Sequence, residues 1–195
     1  MKPFLKVINL HHHQPELIKK ARKGDREAQN QIYKRFSPTM LGLCRSYVRD
    51  LHFAEDVMIT GFFKVFKNLN SFKEEGSFEG WIRKIMVRQC IDHLRKKNPE
   101  QFHDPEALKS SELTSGGDLP DSLQVEALQN LIDEMPDGYR TVFLLYAVEG
   151  YSHKEIATQL EISESTSKSQ LFKARKLLQQ KLAGMKESVY EVRRI

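Results

Sequence analysis

Ala54, Val57, Met58, Phe62, Val65, Phe66 and Leu69 recur at three- and four-residue intervals, a spacing that places all seven on one side of a helix and cannot line one face of a strand. The stripe predicts a helix from about residue 53 to 69 whose apolar face must be buried. The same period runs through the rest of the first half: Leu17, Ile18 and Ala21; then Ala28, Ile32, Tyr33 and Phe36 after a break at Gly24, with Asp25 as the N-cap. Pro38 reads as a fresh start into Met40, Leu41, Cys44 and Tyr47, and Trp81, Ile82, Ile85, Met86 and Leu94 mark a further helix. Alternation of the strand kind is absent, so the fold class expected is all-α.

Between residues 98 and 122 the pattern stops. Pro99, Pro105, Pro120, Gly116, Gly117 and several serines replace it, the composition of a flexible linker. Two small helical domains are therefore expected, 14–97 and 123–184, joined by the linker 98–122. In the second, Leu123, Leu128, Leu131 and Ile132 make a helix that ends at Met135-Pro136, and Val142, Phe143, Tyr146 and Ala147 make another that ends at Gly150. Ser152 and Glu155 have the spacing of a capping box, which starts a helix at His153 bearing Ile156, Ala157 and Leu160. A break at 161–163 leads into a basic helix with Leu171, Ala174 and Leu178 inward. Two short helices with a small residue at their approach and Ile162 plugging the turn form a helix-turn-helix.

The chain's 39% hydrophobic content suffices for helical cores, yet it holds no apolar run of about 20 residues, so no membrane insertion is expected. Residues 1–10 lack the features of a signal peptide, and a cytoplasmic location is expected. Cys44 and Cys90 have no paired spacing and read as buried thiols. His11, His12 and His13 have no spaced carboxylate or cysteine partners, so no metal is expected. Paired catalytic carboxylates, a nucleophile with its base and a glycine-rich phosphate loop are all missing, and neither enzymatic activity nor a cofactor is expected.

A formal charge of +5 is modest; its placement says more. From Ser165 to Lys186 six basic residues meet no acid, and between Trp81 and Lys97 six meet only Asp92, which suggests two contacts with one polyanion. The second helix of the helix-turn-helix would present Ser165, Thr166, Lys168, Ser169 and Gln170 to base edges or phosphates, with Lys173, Arg175 and Lys176 along the backbone. The competing reading is a helical hairpin with a solvated basic face, against which the absence of acids counts. Phe72, Phe78 and Trp81 beside Arg83, Lys84, Arg88 and Arg95 are the residue types that hold unstacked bases, stacking being worth about 1–3 kcal/mol per base. Alternatively, Trp81 and Phe78 are core residues of a helical domain.

With these motifs in hand, the chain resembles the extracytoplasmic-function sigma factors, group IV of the sigma-70 family, from about residue 17 to 182. Ala54-Glu55-Asp56-Val57 with Phe62 to Phe66 is similar to the family's core-binding helix, and Phe78, Trp81, Ile82 and Ile85 with Asp92 and Arg95 to its promoter-melting segment. Residues 136–140, 150–157 and 168–175 resemble its promoter-binding domain. The resemblance implies an alternative sigma factor that binds core RNA polymerase and directs promoter-specific initiation. Glu55, Asp56, Ile59, Thr60 and Phe63 would face polymerase. Phe72, Ser77, Phe78, Trp81, Arg83, Lys84, Arg88 and Arg95 would hold the melted non-template strand of the minus-ten element, with a flipped base near residues 70–79. The helix-turn-helix would read the minus-thirty-five duplex, and an anti-sigma factor is implied as a further partner. Four departures stand out: Ile59 and Thr60 replace a usual Gln and acid, Arg88 a common Asn, Glu161 the usual turn Gly, and Ser167 a usual Val. The first departure supports an alternative, a sigma-like DNA-binding regulator that does not productively engage polymerase.

Overall fold

A computed structural model describes residues 14–97 and 124–192, with side chains described for 14–97 and 129–182. The region read as a linker lies outside the described residues, and every described element is helical. The first unit comprises α1 (Gln14–Arg22), α2 (Arg26–Tyr47), α3 (Leu51–Lys67), a 3-10 turn (Leu69–Ser71) and α4 (Phe78–Lys97). Short polar side chains start these helices: Asp25 accepts from the Ala28 amide at 2.9 Å, Asp50 from that of Phe53 at 3.1 Å, and Ser77 from that of Gly80 at 3.0 Å.

Pro38 does not divide α2, contrary to the fresh start read from sequence. Ile32, Phe36, Met40, Leu43, Cys44 and Tyr47 form one unbroken buried stripe, and packing of that stripe on α3 and α4 outweighs the hydrogen bond the proline cannot make. Ile32, Met40, Ala54, Val65, Ile82, Met86 and the thiols of Cys44 and Cys90 close the core, and Gly61 lets α3 approach Met86 on α4. The two thiols are neighbours, so the hydrogen bond to Cys44 and burial both push the Cys90 thiol up.

The second unit comprises α5 (Gln124–Asp133), α6 (Asp137–Phe143) running into a π turn (Leu144–Val148), α7 (His153–Leu160) and α8 (Glu164–Val192). The capping box forms as read: the Glu155 amide donates to Ser152 Oγ, and the Ser152 amide to Glu155 Oε2 at 2.8 Å. Glu161 ends α7 in the left-handed conformation, φ 57° and ψ 41°.

The units meet along a seam. Arg45 donates to both carboxylate oxygens of Asp133 at 3.0 and 2.6 Å, and Arg49 reaches the Met135 carbonyl. Arg140, 1% exposed, donates from Nη2 to the Tyr47 carbonyl at 2.6 Å and to Asp137 at 2.7 Å; burial lowers its guanidinium to about 10. Val142, Leu144 and Leu145 share one apolar cluster with Tyr47 and Val48. Among the described residues no helix is long and apolar enough to cross a membrane, and no cluster of metal-ligating side chains occurs; His11, His12 and His13 lie outside them.

Candidate nucleic-acid interface

Three surfaces carry the residues singled out from sequence. The first is α8, entered through Ser163, whose Oγ accepts from the Thr166 amide at 2.9 Å and lies 2.7 Å from the hydroxyls of Ser165 and Thr166. Ser165, Lys168, Ser169, Arg175 and Lys176 are exposed on one side of this helix, while Thr166 and Lys173 are half-buried. Lys168 pairs with Glu164 at 2.8 Å, one turn back. The Arg175 guanidinium sits 5.5 Å from the centre of the Tyr146 ring, which stacks on His153 at 4.7 Å. Burial, then Lys168, holds His153 below its ordinary 6.5.

Gln170 corrects the reading of this helix. It is wholly buried, as is Ser167, whose Oγ lies 2.9 Å from His153 Nδ1. Both belong to the inner face with Leu171 and Ala174, so Gln170 cannot reach DNA as placed. Phe172 is the residue sequence reasoning missed: at 68% exposure it stands among Ser169, Lys168, Arg175 and Lys176 on the outward side. One signal could have found it, since a position next to Leu171 falls off the inner stripe.

The second surface is the start of α4 with the preceding loop. Arg22 straps that loop, donating to the carbonyls of Leu69 and Phe72 at 3.1 and 2.5 Å and to Glu74 at 3.0 Å. Phe72 and Phe78 are buried, their rings 5.1 Å apart, and Phe78 also meets Phe36 at 5.7 Å. Both are core residues here; of Trp81 and Phe78, the two given the packing alternative, Phe78 is buried. Trp81 alone of the three is half-exposed, stacked on Phe78 at 5.7 Å with 17° between the planes. The loop and α1 enclose a cleft of about 400 Å³ lined by Phe36, Phe72, Glu74, Ser77 and Phe78. Further along α4, Lys84 and Arg88 are exposed, and Arg83 and Arg95 are half-buried. Arg83 donates to both oxygens of Glu149 at 2.7 and 2.6 Å, which pushes its proton affinity up, and Arg95 pairs with Glu161.

The third surface is the outer side of α3. Asp56 and Thr60 are exposed and Glu55 half-exposed, and beside them Ile59 and Phe63 stand 55% and 69% exposed, one turn apart. Uncovered apolar side chains in this register suit docking against a partner helix.

The arrangement matches known proteins along most of its length. The Sigma-70 region 2 family matches residues 32–100, and the Sigma-70, region 4 family residues 125–178. The ECF RNA polymerase sigma factor SigW of Bacillus subtilis (strain 168) is 30% identical over 179 residues, covering 86% of this chain and 96% of that protein. The RNA polymerase sigma-H factor of Pseudomonas aeruginosa is 27% identical over 86% of this chain and 92% of its own length. Among solved structures, the sigma factor RpoE in complex with the anti-sigma factor NepR from Bartonella quintana superposes with a TM-score of 0.51 at 19% identity, covering 79% of this chain and 96% of that one. That likeness concerns the fold.

Proposed function

This chain belongs to the ECF RNA polymerase sigma factors and is an alternative sigma factor that directs transcription initiation; from that premise we propose how its residues divide the work. The outward side of α8 reads the minus-thirty-five element as duplex, with Lys168, Arg175 and Lys176 on phosphates and Ser165 and Ser169 near base edges. Trp81, Ser77, Lys84 and Arg88, with Arg83 and Arg95 once released, hold the melted non-template strand of the minus-ten element. Phe72 and Phe78 support Trp81 from below, and the loop cleft beside Ser77 receives a flipped base. The outer side of α3, through Asp56, Ile59, Thr60 and Phe63 with Glu55, binds core polymerase. The protein performs no chemistry of its own; polymerase supplies the catalytic metal. It acts in the cytoplasm, and an anti-sigma factor holds it inactive, by analogy with RpoE, which was solved in complex with the anti-sigma factor NepR.

The single observation that carries this reading is the separation of two cationic surfaces onto two helical units, with Lys84, Arg88 and half-exposed Trp81 on α4 and Lys168, Arg175, Lys176 and exposed Phe172 on α8. Equilibrium binding of the full chain to core RNA polymerase, followed by transcription from a genomic fragment library, tests it. Tight binding with new, discrete transcripts is expected; DNA affinity without polymerase binding would mark a regulator instead. Lys168→Ala or Arg175→Ala should weaken duplex promoter binding and reduce its salt slope by about one each. Unchanged affinity and slope in both variants would remove α8 from the interface.

A further inference from the structure

The cations of α8 have a neighbour on the preceding helix. His153, the first residue of α7, stacks on Tyr146 at 4.7 Å with 25° between the planes, and the Arg175 guanidinium of α8 sits 5.5 Å from the centre of that same Tyr146 ring. One aromatic ring thus joins His153 to a cation assigned to a phosphate. On its other flank, His153 Nδ1 lies 2.9 Å from Oγ of Ser167, which is wholly buried on α8. A hydroxyl donates to an unprotonated ring nitrogen and, by turning its hydrogen away, accepts from a protonated one. The ring therefore keeps its orientation in both protonation states, and Nε2 is the nitrogen left to meet a ligand.

We propose that His153 is a phosphate ligand of the duplex-binding surface and takes up a proton as DNA binds, so that duplex affinity rises as pH falls. The charges around the ring support this. From α8 it is faced by Lys168, Arg175 and Glu164, and Glu164 is already paired with Lys168 at 2.8 Å. On α7 itself, Lys154 is exposed and the Glu155 carboxylate is taken by the Ser152 cap; from the π turn, the Tyr146 ring covers one face. Burial, then Lys168, opposes a proton on the ring in the free protein. A phosphate oxygen on Nε2 reverses that balance, because an opposite charge at hydrogen-bond range raises the proton affinity of an imidazole by roughly tenfold or more. At high pH the ring is neutral with and without DNA, and affinity is flat. As pH falls, the bound ring is protonated first and affinity climbs, levelling off once the free ring is protonated as well. The inference rests on the assignment of α8 to the duplex.

The test uses the full chain and a labelled random-sequence duplex of about 30 base pairs, since phosphate contacts do not depend on sequence. Fluorescence anisotropy at constant ionic strength reads affinity between about pH 8 and pH 5.5, and NMR of the imidazole C–H signals reads the His153 titration with and without duplex. The unsubstituted protein should gain roughly tenfold in affinity across this range relative to His153→Gln, matching a tenfold change in proton affinity. The His153 titration should move to higher pH in the complex. His153→Lys, charged throughout, should bind tightly at both ends of the range without that rise, and His52→Gln, at an exposed histidine on α3, should alter nothing. A rise as steep in His153→Gln as in the unsubstituted protein would overturn the proposal. So would a His153 titration that the duplex does not move, a readout that needs no variant and is safe from any loss of fold. Where Lys168→Ala and Arg175→Ala also leave duplex binding untouched, the failure lies in the assignment of α8; where they weaken it, the failure belongs to His153 alone.

Discussion

At the scale of one residue, His93 makes the stability of the molecule depend on pH. Its Nε2 is buried with no partner in the protein, and its ring lies 5.7 Å from that of Phe53, over which Lys97 sits. Burial first, then Lys97, holds the imidazole below its ordinary 6.5, while Asp56 and Asp137 pull the other way with less effect. The unfolded chain therefore takes up a proton near 6.5 that the native state resists. Stability from this group is fully present above that value and is lost as pH falls through it toward the native pKa. The melting temperature should decline between about pH 7.5 and 5.5, and His93→Gln should flatten that decline. His153 is lowered in the same direction but is less deeply buried, so its variant should flatten the curve less. A pH profile unaltered by His93→Gln would show that the ring takes up its proton equally in the native and unfolded states across this range.

At the scale of the element, α8 gives the sharpest expectation, and Phe172 is its subject. An aromatic side chain 68% exposed among cations is costly to leave in water and suits apolar contact with a thymine methyl group in the major groove. Phe172→Ala should weaken promoter duplex binding by about tenfold, within the 1–3 kcal/mol typical of a good base contact. A duplex with uracil for thymine should cost the unsubstituted protein roughly fourfold, the worth of one buried methyl, and cost the variant nothing further. Equal losses in both proteins would place Phe172 off the base edges. Local chemistry makes much of α7 and α8 legible in sequence: the capping box at Ser152 and the turn at Glu161 that bound α7, and the stripe of Leu171 and Ala174 on α8, depend on neighbours within two turns. Sequence reasoning misplaces Gln170 because Ser167 and Gln170 are polar residues on an inner face, so their chemistry hides the phase of the helix. Phe72 and Phe78 are legible as an aromatic group, but their burial depends on Phe36, some forty residues earlier. The seam is out of reach for a stronger version of the same reason. Arg83 and Glu149 are 66 residues apart and Arg140 and Tyr47 93, and no local pattern marks such a pairing.

At the scale of the whole molecule, the three surfaces differ in what the closed arrangement does to them. The seam takes the end of α2 and the inner side of α4, so Arg83 and Arg95 are engaged, whereas Phe172 on α8 and the outer side of α3 stay uncovered. In this arrangement the outer side of α3 is accessible while Arg83 and Arg95 on α4 are ion-paired, and that difference makes α3 separable by mutation. Ile59 and Phe63 stand clear of the second unit, and each would remove apolar surface from water on docking, about 1.5–3 kcal/mol for a side chain of this size when fully covered. Ile59→Asp with Phe63→Asp should lower core polymerase affinity by at least about tenfold, with the melting temperature and duplex DNA affinity unchanged because neither side chain is part of the core. Loss of duplex affinity alongside polymerase binding would mean that the outer side of α3 communicates with α8 and that the surfaces are not independent. Full polymerase affinity in the double variant would instead mean that Ile59 stands where a polar residue is usual in the family because the contact has moved elsewhere on the molecule.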